Sequence, residues 1–286
     1  MFAILGIVVT LASVIGGYAL NGGHMGVLFQ PLEWLIIVGA AVGSMLLGNP
    51  KDIILGVVGN FSLIFKGPHH GRDAYMELLS MLYAVFKLAK TKGDLALESH
   101  VEKPDESPLF AKFPGFNEDH HTRTFFCDYL RLLTLGTSNA HEVEAVIDTE
   151  LETHHKKYHE IAHAVNLMAD AMPALGIVAA VLGVIHTMGS ITEPPEVLGH
   201  LIGAALVGTF SGVLISYAFF APFARNMQLC FDSDSFYHTC IKVALLAHMQ
   251  GYAPQVSVEF SRKILPDLLR PSFQELEENI NNLPPD

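Results

Sequence analysis

The sequence contains little charge. Asp, Glu, Lys and Arg make up only 16% of the 286 residues, whereas hydrophobic residues make up 50% and the mean hydropathy is +0.36. A chain this apolar is not an ordinary soluble domain, and it is too polar to lie wholly within a membrane. We therefore expect one part of the chain to span a membrane and another part to lie in water.

Basic residues are missing from two stretches in particular. None of the 17 Lys and Arg residues lies in 21–32 or 191–198, whereas twelve lie in 51–157 and five in 225–270. Because Lys and Arg concentrate on the cytoplasmic side of a membrane protein, both termini and the long middle segment are expected in the cytoplasm. The two stretches without basic residues are expected to form short loops on the outer side.

Strand-like alternation is also missing, and apolar residues recur instead at helical spacing. Four stretches are long and apolar enough to cross a bilayer, namely 2–20, 33–49, 171–190 and 199–221. Helical patterns outside these spans occur at 73–91, 122–136 and 141–169, the last leading into the third span. The predicted fold class is all-α, a polytopic membrane protein with four transmembrane helices and a helical cytoplasmic domain.

The changes in charge and hydropathy divide the chain into four parts. We expect a first transmembrane pair (1–49), a cytoplasmic helical loop domain (50–168), a second transmembrane pair (169–222) and a cytoplasmic helical tail (223–286). In the tail, Ser272 and Glu275 have the spacing of a capping box, which predicts the start of a helix.

Signatures of catalysis are absent from the sequence. It contains no phosphate-binding loop, no G-x-S-x-G and no H-E-x-x-H. We therefore expect no enzyme, no catalytic residues and no cofactor, and the net charge of −12 argues against a nucleic-acid partner. His155, His159 and His163 follow one helix face at metal-ligand spacing, but Lys156 and Lys157 beside them favour a solvated face without metal.

Small residues recur in three of the four spans. They are Gly39 and Gly43 in the second span, Gly176, Ala179, Ala180 and Gly183 in the third, and Ala204, Gly208 and Gly212 in the fourth. Packing within one subunit explains any single match of this kind. Three matches favour a larger packing surface, in an oligomer or against a partner helix.

Two prolines lie at the inner ends of the third and fourth spans. Pro173 fits the first turn of a helix that begins after Asp170, and Pro222 fits a helix end. Their matching depth supports an alternative, in which both bend their helices and shape a hinge or a water-lined notch. The third and fourth spans contain no carboxylate, so an ion path along them would require one from a second protein.

Seven segments occur in a fixed order around the pattern of two spans, a long loop and two spans. They are GGYALNGG, QPLEWLIIVGAAVGS, CDYLRLL, MPALGIVAAVLGVIHTMG, LVGTFSGVLISYAFFAPFA, GYAPQVSVEFSRK and RPSFQELEE. Together they resemble the MotA family of flagellar motor stator subunits over essentially the whole chain.

The resemblance implies a multi-pass protein of the bacterial inner membrane that serves motility and chemotaxis by ion transport. A ring of such subunits, a pentamer in contact with lipid, would surround a dimer of a single-span MotB-type partner. That partner carries the membrane aspartate and is anchored to peptidoglycan, and the cytoplasmic loops of the ring act on the rotor switch complex.

The resemblance also implies roles for individual residues. Pro173 and Pro222 match the family's two prolines near the partner aspartate, with Asp170 at the entrance of the third span, and Thr209 matches a hydroxyl beside the ion path. Sodium-driven relatives have a threonine where Ala180 stands. Because Ala180 offers no oxygen to replace sodium's hydration shell, we predict that the ion is H⁺.

Two charged residues match the family's rotor-facing positions. Glu98 matches an acidic residue, and Lys90 stands where the family commonly has Arg. The charge of Lys90 is preserved but the planar guanidinium is not, so a long-range attraction survives better than a bidentate contact. The alternative for both residues is a solvated helix face.

Three other functions remain open at this stage. An ExbB/TolQ-like energy-transducing stator is disfavoured because proteins of that type have a three-span layout, whereas this sequence predicts four spans. A sodium-driven stator would contradict the prediction from Ala180. In a structural membrane scaffold, the small residues would only hold an oligomer together.

Overall fold

The computed structural model describes residues 2–137 and 139–283, and all regular structure in these ranges is helical. Four of the helices are long and apolar enough to cross a membrane. The prediction of an all-α chain with four such helices is therefore confirmed.

Fourteen helices are present in the described residues. In chain order they are α1 (Phe2–Leu20), α2 (Met25–Leu28), α3 (Pro31–Gly48), α4 (Lys51–Asn60), α5 (Leu63–Lys66), α6 (Arg72–Lys92), α7 (Glu98–Glu102), α8 (Pro114–Glu118), α9 (His120–Thr134), α10 (Ala140–Met188), α11 (Pro195–Ile215), α12 (Ala221–Met249), α13 (Pro254–Ile264) and α14 (Phe273–Asn281). Three 3₁₀ turns lie between α6 and α8, at Asp94–Leu97, Pro104–Glu106 and Phe110–Lys112. A π-helical turn, Ser216–Phe220, joins α11 to α12.

Two of the helices are much longer than a membrane span. The pattern at 141–169 and the third span form one helix of 49 residues, as predicted, with Pro173 in its interior. Helix α11, the π turn and α12 likewise run without a break from Pro195 to Met249. The first-turn interpretation of Pro173 and the helix-end interpretation of Pro222 were therefore wrong, because each helix continues through its proline.

The chain divides into two units. The first, which we call the span unit, contains residues 2–67 and 156–231, and the second, the loop unit, contains residues 68–155 and 232–283. In the span unit, apolar side chains of α3 and α10 form one core around Ile37. Where such helices lie in a membrane, close contact between side chains stabilises this packing, because lipid chains are as apolar as these residues.

The loop unit is built around α6. The buried face of α6, which includes Leu82 and Phe86, packs in one core with residues of α9, α12 and α13. Helix α14 begins with the predicted capping box: Oγ of Ser272 accepts from the backbone N–H of Glu275 at 3.2 Å, and the Glu275 carboxylate accepts from N–H of Ser272 at 2.6 Å. The same carboxylate pairs with Arg72 at 2.7 Å and so connects α14 to α6.

A histidine in the segment before α6 contacts two helices of the loop unit, α9 and α12. Nδ1 of His70 lies 3.1 Å from Oδ1 of Asp234 on α12, and Nε2 lies 3.5 Å from Oδ2 of Asp119, the N-cap of α9. The imidazole also stacks on Tyr237, with ring centroids 3.7 Å apart. Burial alone would lower the pKa of His70, but the two carboxylates outweigh it and raise that pKa. Burial alone would raise the pKa of Asp119, but bonds from His70 and Thr122 lower it.

This cluster predicts a pH dependence of stability. Because the folded state raises the pKa of His70, its stabilising contribution is complete below the ordinary imidazole pKa of about 6.5 and is lost as pH rises through the raised value. We expect the free energy of unfolding of the full chain to fall above that pH, and the His70→Gln variant to lack this decrease. Thermal unfolding between about pH 6 and pH 9 measures it.

The matched control is His69→Gln, since His69 also contacts Asp234, at 3.3 Å, but is half exposed. It should keep the wild-type pH profile. An identical alkaline decrease in the wild type and in His70→Gln would show that this imidazole does not carry the effect.

Candidate functional site

The third and fourth predicted spans contact each other backbone to backbone in the span unit. A Cβ placed on Gly176 of α10 would lie 2.9 Å from the carbonyl oxygen of Gly208 on α11. A Cβ placed on Gly212 would lie 2.7 Å from the carbonyl oxygen of Met172. Side chains at these glycines would therefore push the two helices apart, as is usual where small residues bring membrane helices together. We call this contact the α10–α11 seam.

The seam explains most of the small residues in these two spans. Farther along, a Cβ on Gly183 would lie 2.7 Å from Cβ of Ala205, so packing within one subunit accounts for these positions. The small residues of the second span, by contrast, make no such contact with another helix among the described residues. Of the described residues, none comes within 4 Å of a Cβ placed on Gly43, and one placed on Gly39 meets only Leu35 of its own helix, at 4.0 Å.

Pro173 changes the hydrogen bonding of the seam. Proline has no N–H, so the carbonyl of Ala169, four residues earlier, loses its helical donor. The Oγ of Ser216 supplies a replacement and donates to that carbonyl at 2.6 Å, with both groups buried. From the sequence, Ser216 is one of several polar candidates in the third and fourth spans, because only the register of the two helices shows which carbonyl its hydroxyl binds.

Ser216 is also the first residue of the π-helical turn that precedes Pro222. A π turn adds one residue to a helical turn and is frequent at functional sites. The two prolines are therefore connected to one feature: the first frees the carbonyl that Ser216 binds, and the second follows the turn that Ser216 begins. Pro173 is partly buried and Pro222 is exposed.

The structure brings two of the other predicted residues to the seam. The backbone nitrogen of Ala180 would lie 3.1 Å from a Cβ on Gly208, and Cα of Thr209 would lie 3.4 Å from one on Gly176. Asp170 lies elsewhere, exposed, one turn before Pro173, where its Oδ2 accepts from the Asn166 amide at 2.9 Å.

A carboxylate that sequence reasoning missed also reaches the seam. Glu33, in the first turn of α3, places Oε2 3.0 Å from the position of a Cβ on Gly208. This oxygen is buried and has no hydrogen-bond partner among the described residues. The available signal was an acidic residue inside an apolar span, since such residues are costly there and are retained for function. Trp34, next in sequence, donates its indole N–H to Oγ of Ser211 on α11 at 3.2 Å.

The predicted rotor-facing residues belong to the loop unit. Lys90 lies near the end of α6, and its Nζ donates to the carbonyl of Gly251 at 3.4 Å. Glu98 is the first residue of α7. Both side chains are exposed, which a contact surface requires.

The histidine pattern on α10 divides between the two units. His155 lies 3.9 Å from Asp232 in the loop unit, whereas His159 and His163 line a cavity of the span unit. Within the described ranges, no group of three potential metal ligands lies together.

Comparison with known proteins identifies the family to which the chain belongs. Residues 4–93 match the family model "Motility protein A N-terminal", and residues 117–234 match the "MotA/TolQ/ExbB proton channel family". Motility protein A of Escherichia coli (strain K12) is 42% identical over 98% of this chain and 95% of the relative. The chain belongs to the motility protein A family. The expected resemblance to MotA is thereby confirmed, and this is a family of channel subunits, not of enzymes.

One further relative supports this assignment, and one solved structure shows the same fold. Motility protein A of Salmonella typhimurium is 40% identical over the same shares of the two chains. A solved structure entitled "Structure of C. jejuni MotAB" matches with a TM-score of 0.77 and 22% identity, over 93% of this chain and 95% of that chain. This chain thus shares its fold with that structure.

The bond between Ser216 and Ala169 predicts a coupling between two substitutions. Ser216→Ala leaves a buried carbonyl without a donor and should lower the free energy of unfolding by about 1–3 kcal/mol. Pro173→Ala restores the N–H four residues after Ala169, so adding Ser216→Ala to that variant should destabilise the protein less. Unfolding of the purified chain in mixed micelles by a denaturing detergent measures all four members of this cycle.

Ser44→Ala serves as the control, because Ser44 is an exposed serine on α3. It should leave stability unchanged. Strictly additive effects of Pro173→Ala and Ser216→Ala would contradict the proposed coupling.

Proposed function

We propose that this chain is a stator subunit of the bacterial flagellar motor, which with a single-span MotB-type partner converts ion flow into torque on the rotor. The observation that carries the proposal is the nearly full-length match to motility protein A at 42% identity. The match of residues 4–93 to a motility protein A model favours this function over an ExbB/TolQ-like stator.

The chain lies in the inner membrane with both termini in the cytoplasm. Residues 1–49 and 169–222 form the two transmembrane pairs, and 50–168 and 223–286 lie in the cytoplasm. The distribution of Lys and Arg supports this orientation. Several copies, which we expect to be five, surround a dimer of the partner helix, and the unoccupied surfaces of Gly39 and Gly43 on α3 leave room for close helix contacts between subunits.

The partner's membrane aspartate moves along a path that Pro173 and Thr209 line at the seam and that Asp170 and Pro222 line toward the cytoplasm. One elementary charge crossing about 100 mV releases roughly 2.3 kcal/mol. Neutralising a carboxylate changes its cost at membrane depth by about 2.5–3.5 kcal/mol on insertion scales. Because these energies are comparable, protonation can decide which subunit face the partner helix prefers, and successive protonations produce steps of rotation.

Glu33 supplies a carboxylate on the outer part of this route. In the proposed orientation α3 starts at the outer surface, and the Glu33 carboxylate lies at the seam near Ala180 and Gly208. This oxygen, which has no partner among the described residues, is able to accept a proton or a water molecule. Protons entering from outside therefore reach a titratable group before they reach the partner aspartate.

The transported ion is H⁺. Ala180 contributes no oxygen at the seam, whereas replacing the hydration shell of Na⁺ requires several oxygen ligands. Titratable carboxylates and water are sufficient for a proton. The family description as a proton channel agrees with this assignment.

Lys90 and Glu98 face the rotor's switch complex. Their exposure in the loop unit leaves both charges accessible. The interaction is a screened attraction between surface charges, so it weakens as ionic strength increases.

The first test concerns the ion. In cells that lack their own stator genes, this chain and its partner should restore swimming, and swimming speed should persist when sodium is replaced by potassium at a fixed proton-motive force. Speed that depends strictly on sodium would overturn proton drive. Failure to restore swimming, with both proteins present in the membrane, would overturn the stator function itself.

The second test concerns the route. Pro173→Ala and Glu33→Gln should each lower stall torque in tethered cells while the amount of chain in the membrane is unchanged. The first alters the bend of α10, and the second removes a titratable carboxyl while it keeps the size of the side chain nearly the same. Ser44→Ala is again the control and should keep wild-type torque. Wild-type torque in Pro173→Ala would refute a role for the bend.

A further inference from the structure

A polar cavity lies between α10 and α12 in the span unit. Its volume is about 220 Å³. The polar side chains that line it are two imidazoles, one guanidinium and two carboxamides: His159, His163, Arg225, Asn166 and Gln228. Alanines 162 and 224, both buried, complete the lining, and none of the described residues that line it is a carboxylate.

On α10 the cavity lies on the face that carries Pro173, whereas on α12 only Arg225 of its lining residues falls within about 90° of Pro222. At 100° per residue, His159, His163 and Asn166 fall within about 80° of Pro173 around α10. At a rise of 1.5 Å per residue, His163 lies about 15 Å from Pro173 along the helix, on the side that the proposed orientation puts in the cytoplasm. Arg225 follows Pro222 by three residues and falls within about 60° of it around α12.

The side chains of this cavity are suited to proton transfer. Imidazole is the side chain that takes up and gives back protons near neutral pH. The rings of His159 and His163 lie one helical turn apart, with centroids separated by 6.1 Å and planes inclined by 23°. The cavity is large enough for water, since one molecule needs only about 10–15 Å³ of such volume, and its polar lining suits water.

We propose that His163 and His159 form the site through which protons leave the ion path to the cytoplasm. This inference rests on the proposed function. The protonated carboxyl of the partner gives its proton, through water, to a ring nitrogen of His163 or His159, which leaves a carboxylate and an imidazolium. The imidazolium passes the proton to cytoplasmic water, and the neutral ring is restored.

Charged side chains of α10 and α12 lie at or near the cavity. Arg225 faces the imidazoles from α12, where its guanidinium donates to Gln228 at 3.2 Å and places a fixed positive charge at the cavity. On α10, Asp170 lies toward Pro173 and accepts from Asn166 at 2.9 Å. A carboxylate thus lies outside the cavity toward Pro173, and a fixed cation lies in the cavity lining.

The experiment separates the rate of proton release from the energy per proton. Near stall, torque is set by the free energy of each ion crossing, which His159→Gln/His163→Gln does not change. At low load, rotation speed is limited by transfer steps, so we expect it to fall by about tenfold, less than the usual effect of a general acid–base group because water substitutes in part. Both regimes are measured on single motors that contain the full stator complex.

His141→Gln is the matched control, since His141 is an exposed imidazole of the same helix outside the cavity, and it should keep wild-type speed. Returning a titratable group in His159→Gln/His163→Glu should recover speed at low load. Unchanged low-load speed in the double glutamine variant overturns the inference, as does an equal loss of stall torque and speed, which indicates a structural role.

Failure of this inference is distinguishable from failure of the proposed function. If the wild-type complex rotates without sodium and the double glutamine variant behaves identically, only the release site is refuted. If the wild-type complex does not rotate, or requires sodium, then the proposed function fails first.

Discussion

The bond from Ser216 to the carbonyl of Ala169 is the interaction on which the span unit depends. A backbone carbonyl in an apolar interior needs a donor, because no water is available there. Pro173 removes the helical donor, and Ser216 provides another at 2.6 Å from a different helix. This bond requires α11 to approach α10 closely, and the glycines of the seam make that approach possible.

The same contact limits what else the two helices can do. Gly176, Gly208 and Gly212 are in backbone contact, so the small residues that bring α10 and α11 together leave no room for a third helix between them. A partner helix must therefore contact the seam from its side, where Pro173 is only partly buried and Pro222 is exposed. In the proposed function, the prolines act on such a partner through the shape of the helices, because proline has no N–H to donate.

Much of this architecture is predictable from local pattern. Hydropathy and helical spacing predict the four long apolar helices and the continuation of 141–169 into the third span, and the spacing of Ser272 and Glu275 predicts the capping box. Features that depend on the register between helices are not predictable in this way. The positions of Ser216 and Glu33 in the sequence do not show their contacts. These follow only from the structure, in which Ser216 binds the carbonyl of Ala169 and Glu33 lies beside Gly208.

In the span unit, titratable groups lie on both sides of the stretch of α10 between Pro173 and Ala180. Glu33 reaches the seam beside Gly208, and His163 lies on α10 beyond Pro173, in the direction of the helix N-terminus. Between Pro173 and Ala180, α10 has no group that exchanges a proton near neutral pH. In the proposed function, the partner's aspartate carries the proton across this stretch and meets the apolar side chains of α10. A carboxyl is stable against such a surface only when it is neutral, so its protonation is the step that permits movement.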